Sequence, residues 1–191
     1  MTRNERNEQA LRGASKNAEK AFNAVDAIEY ASVPEDEKVA WAMAAMIHCD
    51  MCRLVIAFDE CERDGLASLL WMADIVSKLH EAKRWYFEKG GRLLGGIGKR
   101  MGCGQEYIQR EIKEIKKRHQ ITNIDAYAEY RNKISYHYDD NAISLLKKFG
   151  NEDAEAFYQV LKAFAGFSGE WAQLTRSLLK NELPNNRVEQ P

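Results

Sequence analysis

Arg131, Asn132 and His137 lie within seven consecutive residues, late in a chain of 191 residues. An arginine carries a permanent charge that can hold a phosphate through two parallel hydrogen bonds, and an imidazole gains and loses protons near neutral pH. Cleavage of an RNA phosphodiester without a metal needs both groups, because the phosphate must be held while protons are transferred. The three residues therefore predict a site for metal-free cleavage of RNA.

The residues around His137 are further candidates for the same site. Tyr136 and Tyr138 either stack on bases or pack in the core, and packing is the expected role. Asp139 either accepts a hydrogen bond from the imidazole, which would set its tautomer, or caps the helix end. Asn132 either orients His137 or the phosphate, or is an amide on the helix surface.

The spacing also limits how Arg131 and His137 can meet. Residues six positions apart on an ideal α-helix differ by about 240° in direction and about 9 Å in height. The pair converges only if the helix bends or ends between them, or if two chains at a two-fold interface each contribute one copy. A structural interpretation stays open beside these, with Arg131 on the surface of an amphipathic helix and His137 satisfied at its end.

The segment from Arg131 to Asp139 resembles the Arg-x(4–6)-His signature of the HEPN superfamily of all-helical proteins, many of which are RNases. Five residues separate Arg131 from His137, which falls inside that window. The resemblance, which is greatest to the abortive-infection branch, implies a metal-independent endoribonuclease of a defence or toxin type. It implies that Arg131 binds the scissile phosphate, and that His137 is general base on a 2′-hydroxyl or general acid on the leaving oxygen.

The resemblance also implies partners. It suggests a homodimer with a composite site, RNA as the substrate, and an antitoxin or regulatory protein as a further partner. In HEPN toxins paired with a nucleotidyltransferase antitoxin, a tyrosine lies two residues after the histidine. Here that position is Asp139 and the tyrosine is Tyr138, which argues against regulation by modification of that tyrosine. The alternative function is a non-catalytic HEPN-like helical module that binds RNA, nucleotide or a protein partner.

The composition is typical of a globular protein and favours helices. Hydrophobic residues make up 45% and charged residues 30% of the chain, and only three prolines occur. We expect a single domain over residues 1–183 and a flexible tail over 184–191. The charged N-terminus lacks the apolar region of a signal peptide, and the apolar run at 39–49 is too short to span a bilayer. The expected location is the cytoplasm, with no membrane contact.

Charge is distributed unevenly along the chain. The formal net charge is −1, which excludes a uniformly basic nucleic-acid binder. The segment from residue 99 to residue 118, however, contains seven basic residues and only three acidic ones. This segment is either a footprint for RNA or a solvated helix face. The candidates for nucleic-acid binding are Lys99, Arg100, Arg110, Lys113 and Lys117.

Hydrophobic spacing at three and four residues predicts an all-α protein, an up-and-down helical bundle of the HEPN type. A capping box at residues 32–35 predicts the start of the second helix. A third helix is expected to reach about residue 89, and a fourth to cover 105–119. A fifth, capped at 122–125, is expected to carry Arg131. A short helix is expected over 142–149, and a long final helix after Asn151.

Seven of the twelve glycines fall between residues 90 and 104. The run Gly95–Arg100 fails as a phosphate-binding loop, because Leu93 occupies the position of its first glycine and Arg100 that of the Ser or Thr. We expect instead a mobile connection between helices.

The remaining candidates for chemistry are cysteines and histidines. His48, Cys49 and Cys52 suggest a zinc site, but no further pair completes four ligands at a familiar spacing. The expectation is reduced thiols with no metal and no cofactor. His48 is expected to be a satisfied core histidine, whereas His80 and His119 are expected to face solvent.

Overall fold

The computed structural model describes residues 1–27, 30–61, 65–135, 140, 142–147 and 151–180. Every regular element within these ranges is helical, which confirms the all-α prediction. The α-helices are α1 (Arg3–Asp26), α2 (Glu35–Glu60), α3 (Gly65–Trp85), α4 (Gly91–Arg100), α5 (Gln105–Arg118), α6 (Ala128–Tyr130), α7 (Ala142–Leu146) and α8 (Asn151–Leu179). The other elements are a π-helical turn at Tyr86–Gly90, a 3₁₀ helix at Ile121–Tyr127 and a second π-helical turn at Arg131–Ser135.

The first two helices run antiparallel. Arg3, at the start of α1, forms an ion pair with Asp59 near the end of α2. At the other end of the pair, the ammonium of Lys38 donates to the carbonyl oxygen of Val25 at 2.8 Å. Contacts at both ends hold the two helices side by side along most of their length.

The last helix, α8, runs antiparallel to α2 and forms the centre of the core. Phe58 of α2 packs edge-on against Phe157 of α8, with ring centroids 5.1 Å apart. Further along, Tyr86 packs against Phe167 at 5.0 Å and Trp171 at 4.9 Å. Tyr86 and Trp171 are almost fully buried, so this aromatic cluster ties the end of α3 to α8.

Helix α2 starts where the sequence predicts it, but its cap differs from the prediction. The predicted capping box at residues 32–35 is wrong: Pro34 occupies the N-cap of α2 and no side chain caps the helix. The acidic residues Glu35, Asp36 and Glu37 fill the first turn instead, where negative charge interacts favourably with the helix dipole. A capping box does form at α1, where Thr2 and Glu5 satisfy each other's backbone N–H groups.

The expected mobile connection at residues 90–104 is also wrong. The π-helical turn leads directly into α4, so only residues 101–104 are non-helical. The glycines allow close packing here. A Cβ added at Gly98 would lie 2.5 Å from Ile108 of α5, and one at Gly90 would lie 2.9 Å from the Trp85 ring. Gly102, at φ +74°, supplies the turn between α4 and α5.

The segment that precedes Arg131 is less regular than predicted. In place of one capped helix, a 3₁₀ helix buries Ile121 and Ile124, which share one side at its three-residue repeat. Of the short helix predicted at 142–149, residues 142–146 form α7, and residues 148–150 lie outside the described ranges. The final helix is confirmed and ends at Leu179. The predicted tail at 184–191 lies outside the described residues.

Helix α2 is the one described helix whose length and composition would allow it to cross a membrane. Half of its most apolar stretch is buried inside the bundle. The core helix of a water-soluble protein meets the same criterion, so the observation is weak evidence for a membrane span.

Candidate functional site

Arg131 begins the π-helical turn that follows α6, and this turn packs against α3. Ile134, in the same turn, is buried at 7% exposure and anchors the segment in the core. Arg131 is half-buried and its Nε donates to the Asn132 side-chain oxygen at 3.1 Å. The buried isoleucine therefore fixes the turn, while the two motif side chains are directed toward the surface.

Arg131 lines a surface pocket of about 330 Å³. All the other residues around it come from α3 and the π-helical turn that extends it. The pocket brings together three cations, two carboxylates, one imidazole and one aromatic ring. Its lining residues are His80, Glu81, Lys83, Arg84, Phe87, Glu88 and Arg131. We refer to it as the Arg131 pocket.

Lys83 and Arg84 of the Arg131 pocket each have a carboxylate partner. Lys83 contacts both oxygens of Asp125, in the 3₁₀ helix, at 2.6 and 2.8 Å. Arg84 donates to Glu81 one turn earlier on α3 at 2.5 Å. These pairs hold the cations in place at the rim and lower the net positive charge that the pocket presents.

The aromatic ring of the pocket connects it to α5. Phe87 is 41% exposed. The ammonium of Lys116, from α5, lies 4.2 Å from the centroid of that ring, a distance suited to a cation–π contact. Partial burial lowers the pKa of Lys116. The basic end of α5 therefore adjoins the Arg131 pocket.

His80 is half-buried and does not simply face solvent as expected. Its Nε2 is buried and has no hydrogen-bond partner among the described residues. Burial lowers the pKa of His80, and the positive charges of Arg131 and Lys83 lower it further, against opposing contributions from Asp125 and Glu81. The imidazole is therefore neutral at pH 7, so it can accept a proton.

Sequence reasoning missed His80 as a site residue, although a signal was present. His80, Lys83, Arg84 and Phe87 follow an i, i+3, i+4, i+7 pattern, which places them on one face of a helix. What the pattern could not indicate was that Arg131, 51 positions later, lies against that face.

Four of the predicted site residues lie outside the described part of the chain: Tyr136, His137, Tyr138 and Asp139. Convergence of Arg131 and His137 therefore stays a prediction, as do the roles of Tyr136, Tyr138 and Asp139.

The five predicted nucleic-acid-binding residues occupy different environments. Arg100 donates through Nε to both oxygens of Glu37, at 2.9 and 2.8 Å, and ties the end of α4 to the start of α2. That hydrogen bonding is the main cause of the raised pKa of Arg100. Lys99, Arg110, Lys113 and Lys117 are exposed, and the last three lie on α5. The surface of α5 therefore carries most of the predicted basic footprint.

His48 has its hydrogen bonds satisfied, as predicted, but it is half-buried and not part of the fully buried core. The Ser168 hydroxyl donates its single proton to the Ala165 carbonyl at 2.9 Å. The contact of 3.0 Å between Ser168 Oγ and His48 Nδ1 is therefore made by Nδ1–H as the donor. The Cys52 thiol lies 3.8 Å from Nε2, and burial raises its pKa to about 11, so the thiol keeps its proton.

His119 differs from its prediction. Its Nε2 lies 2.9 Å from Glu170, and Arg118 donates to the same carboxylate at 2.5 Å. These contacts pin the end of α5 to α8. Among the described residues, no group of three or more His, Cys, Asp or Glu side chains is arranged to hold a metal ion.

A larger groove of about 1010 Å³ lies between α2 and α3 and reaches α1 at Ala18. Its apolar lining includes Met43, Met46, Met51 and Trp85. It meets the Arg131 pocket along the outer face of α3, but it contains no histidine.

Comparison of the chain with protein-family models, with curated proteins and with solved structures found no match in any of the three. The class that the fold defines is an all-α protein with a mixed-charge pocket around Arg131. Function must therefore be inferred from the chemistry of that pocket.

Proposed function

We propose that this protein is a metal-independent endoribonuclease of the HEPN type, with a defence or toxin role. The observation that carries the proposal is the setting of Arg131. It shares a pocket with Lys83, Arg84 and the imidazole of His80, whose Nε2 has no partner in the described chain. A permanent cation beside a neutral imidazole combines phosphate binding with proton transfer, the two functions needed for RNA cleavage.

Arg131 binds the scissile phosphate in this proposal and stabilises the negative charge that develops on it in the transition state. Asn132, which accepts a hydrogen bond from Arg131 Nε, orients the guanidinium. His137 transfers a proton to or from the reacting oxygens. The nucleophile is the 2′-hydroxyl of the RNA, so the products carry a 2′,3′-cyclic phosphate and a 5′-hydroxyl, and DNA is not cut.

The exposed lysines of α5 support a path for RNA into the pocket. Lys113 and Lys117 lie one helical turn apart and are exposed. Lys116, between them in sequence, reaches Phe87 at the pocket rim. A backbone bound along α5 would therefore arrive beside Arg131.

The decisive experiment is cleavage of a defined RNA by the purified protein in excess EDTA, with analysis of the product ends. We expect a 2′,3′-cyclic phosphate, and no cleavage by His137→Ala at unchanged RNA affinity. Cleavage that needs magnesium, or a 3′-hydroxyl product, would refute the mechanism. Light scattering coupled to size exclusion tests the homodimer that the HEPN resemblance implies, which a strict monomer at micromolar concentration would contradict.

The alternative is a non-catalytic helical module that binds RNA, nucleotide or a protein partner. One observation favours it: Lys83 and Arg84 are already paired with Asp125 and Glu81, which weakens the field on a phosphate. RNA binding without cleavage at any pH between 5 and 9 would select this alternative.

A further inference from the structure

Cleavage by 2′-hydroxyl attack requires two proton transfers. One group must take the proton from the 2′-oxygen, and another must give a proton to the 5′-oxygen that leaves. The sequence motif contains one histidine, and a second copy of the chain is one way to supply the other. The structure offers a different source within the same chain, because His80 of α3 lines the pocket that contains Arg131.

We propose that His80 is a catalytic residue of this site and acts as the general base toward the 2′-hydroxyl of RNA bound at Arg131. This inference rests on the proposed function. It assigns to α3 a chemical role outside the Arg131–His137 motif. It also removes the need for a second subunit to provide the second imidazole.

The environment of the His80 ring supports this role in two ways. The described chain gives Nε2 no hydrogen-bond partner, whereas His48 and His119 are each held by another side chain. The ring also adjoins the phosphate-binding cation, so a phosphate on Arg131 would bring its neighbouring ribose toward the imidazole. Nε2 is enclosed in the present orientation of the ring, and its unmet hydrogen bond favours a turn of the ring toward the pocket that it lines, where a substrate can reach it.

The charges around His80 favour its neutral form. It faces Lys83, Arg84 and Glu81 from its own helix and Glu88 from the π-helical turn that extends this helix. Arg131 lies on the second π-helical turn and Asp125 on the 3₁₀ helix. Burial and the nearby cations outweigh the carboxylates and lower the pKa. A base must be unprotonated before it reacts, so this shift suits His80 to accepting a proton near pH 7.

In the reaction step, the unprotonated ring nitrogen of His80 takes the proton from the 2′-hydroxyl. The 2′-oxygen then forms a bond to phosphorus, and the bond between phosphorus and the 5′-oxygen breaks. The leaving 5′-oxygen takes a proton from an acid, for which His137 is the candidate. Exchange of one proton each with water then returns both imidazoles to their starting forms.

The test compares two substrates of one sequence: ordinary RNA, and RNA with a bridging sulfur in place of the 5′-oxygen at the cleavage site. A thiolate leaves without help from an acid, so the sulfur substrate still needs the base but not the acid. We expect His80→Gln to lose about 10²- to 10⁴-fold in kcat on both substrates. His137→Ala should recover on the sulfur substrate alone.

Two further measurements separate a catalytic role from a structural one. The low-pH fall of kcat, which reports protonation of the base, should disappear in His80→Gln. Affinity for 2′-O-methyl RNA, which cannot react, should change less than about threefold, because a neutral imidazole adds little to phosphate binding. His119→Gln is the matched control, a histidine already held by Glu170, and it should keep the wild-type pH profile.

The outcomes distinguish the inference from the proposed function. If the wild type cuts RNA and His80→Gln cuts equally fast, the role of His80 is wrong and the nuclease proposal stands. If the sulfur substrate restores His80→Gln, His80 is not the base. If the wild type leaves RNA intact, the nuclease proposal fails and the role of His80 fails with it. Thermal unfolding of His80→Gln checks that the variant is folded.

Discussion

The Arg131 pocket and the core around His48 place the same residue type in opposite situations. Both histidines are half-buried on long helices, and burial is the main cause of a lowered pKa in each. His48 has its hydrogen bonds completed by Ser168 and Cys52. His80 lies at a pocket with one ring nitrogen unpaired in the described chain. Burial and a lowered pKa are therefore common to both histidines, and the difference between them is the hydrogen bond that the described chain leaves unmet at His80.

The two regions also differ in the charges that surround them. The groups around His48 are a hydroxyl, a thiol and backbone. They fix the tautomer of the ring, and the ring fills space in the helix packing. The groups around His80 include three cations and several carboxylates, and two of the cations are paired with carboxylates. We therefore expect changes in the first region to alter stability and changes in the second to alter activity.

The largest of four further effects is expected for Arg131→Ala on RNA cleavage. Loss of the cation should lower kcat/KM by about 10²- to 10³-fold, since it removes a contact made both before and during the reaction. Arg53→Ala is the matched control: it removes an exposed arginine of α2 that pairs with Asp50 at 2.6 Å. Steady-state kinetics on one RNA should show the loss only for Arg131. Equal losses in both variants would remove the distinction between the regions.

The second effect is on stability, at the other region. A Cβ added at Gly169 of α8 would lie 2.9 Å from the His48 ring. Gly169→Ala should therefore cost about 1–3 kcal/mol by overpacking, read from urea unfolding. Gly13→Ala is the control, because a Cβ added at Gly13 would meet no atom within 4 Å. On α1 that change should stabilise by about 0.5–1 kcal/mol. If Gly169→Ala unfolds at the same urea concentration as the wild type, the His48 ring can move aside at little cost.

The third effect concerns the approach of RNA. Lys113→Glu with Lys117→Glu reverses two exposed charges of α5 and should weaken RNA binding about tenfold or more at low salt, with a shallower salt dependence. Lys16→Glu with Lys20→Glu makes the same change at the same spacing on α1 and should have little effect. Fluorescence anisotropy at several salt concentrations measures both. Equal losses would mean that only net charge matters.

The smallest expected effect is the contribution of His48 to the pH dependence of the free energy of unfolding. Its pKa in the folded protein is lowered from 6.5, so the unfolded chain binds the proton more tightly. This contribution to stability is complete above pH 6.5 and is lost as pH falls through the lower folded-state value. Urea unfolding of wild type and His48→Gln between pH 7.5 and 5 should show a smaller decline in the variant. Parallel declines would assign the effect to other groups.

The long helices could be predicted because their signal is local. Apolar residues at three- and four-residue spacing define α2, α3 and α8 directly in the sequence, and each forms close to its expected place. The helix at 91–100 could not be predicted in this way. Its four glycines oppose helix formation locally, and the contact of Gly98 with Ile108 that favours it comes from another helix.

The candidate site likewise has a part that neighbouring residues indicate and a part that depends on distant contacts. The residue types and spacing of Arg131, Asn132 and His137 indicated phosphate chemistry before any fold was known, because reactivity depends on the side chains present. Whether His137 reaches Arg131 stays a prediction. The partners of Arg100 and His119 could not be predicted from the sequence. Glu37 is 63 positions from Arg100, and Glu170 is 51 positions from His119.

The sequence by itself determined that this protein is helical, since helix periodicity is a pattern of neighbouring residues. It also determined where the candidate side chains for chemistry lie along the chain, since these follow from residue type alone. Only the tertiary structure decided that Arg131 lies against the face of α3 that carries His80. His80 and Arg131 are 51 positions apart, and they share a pocket because burial of Ile134 seats the π-helical turn against α3. Packing between distant segments, driven by removal of apolar surface from water, selects such neighbours.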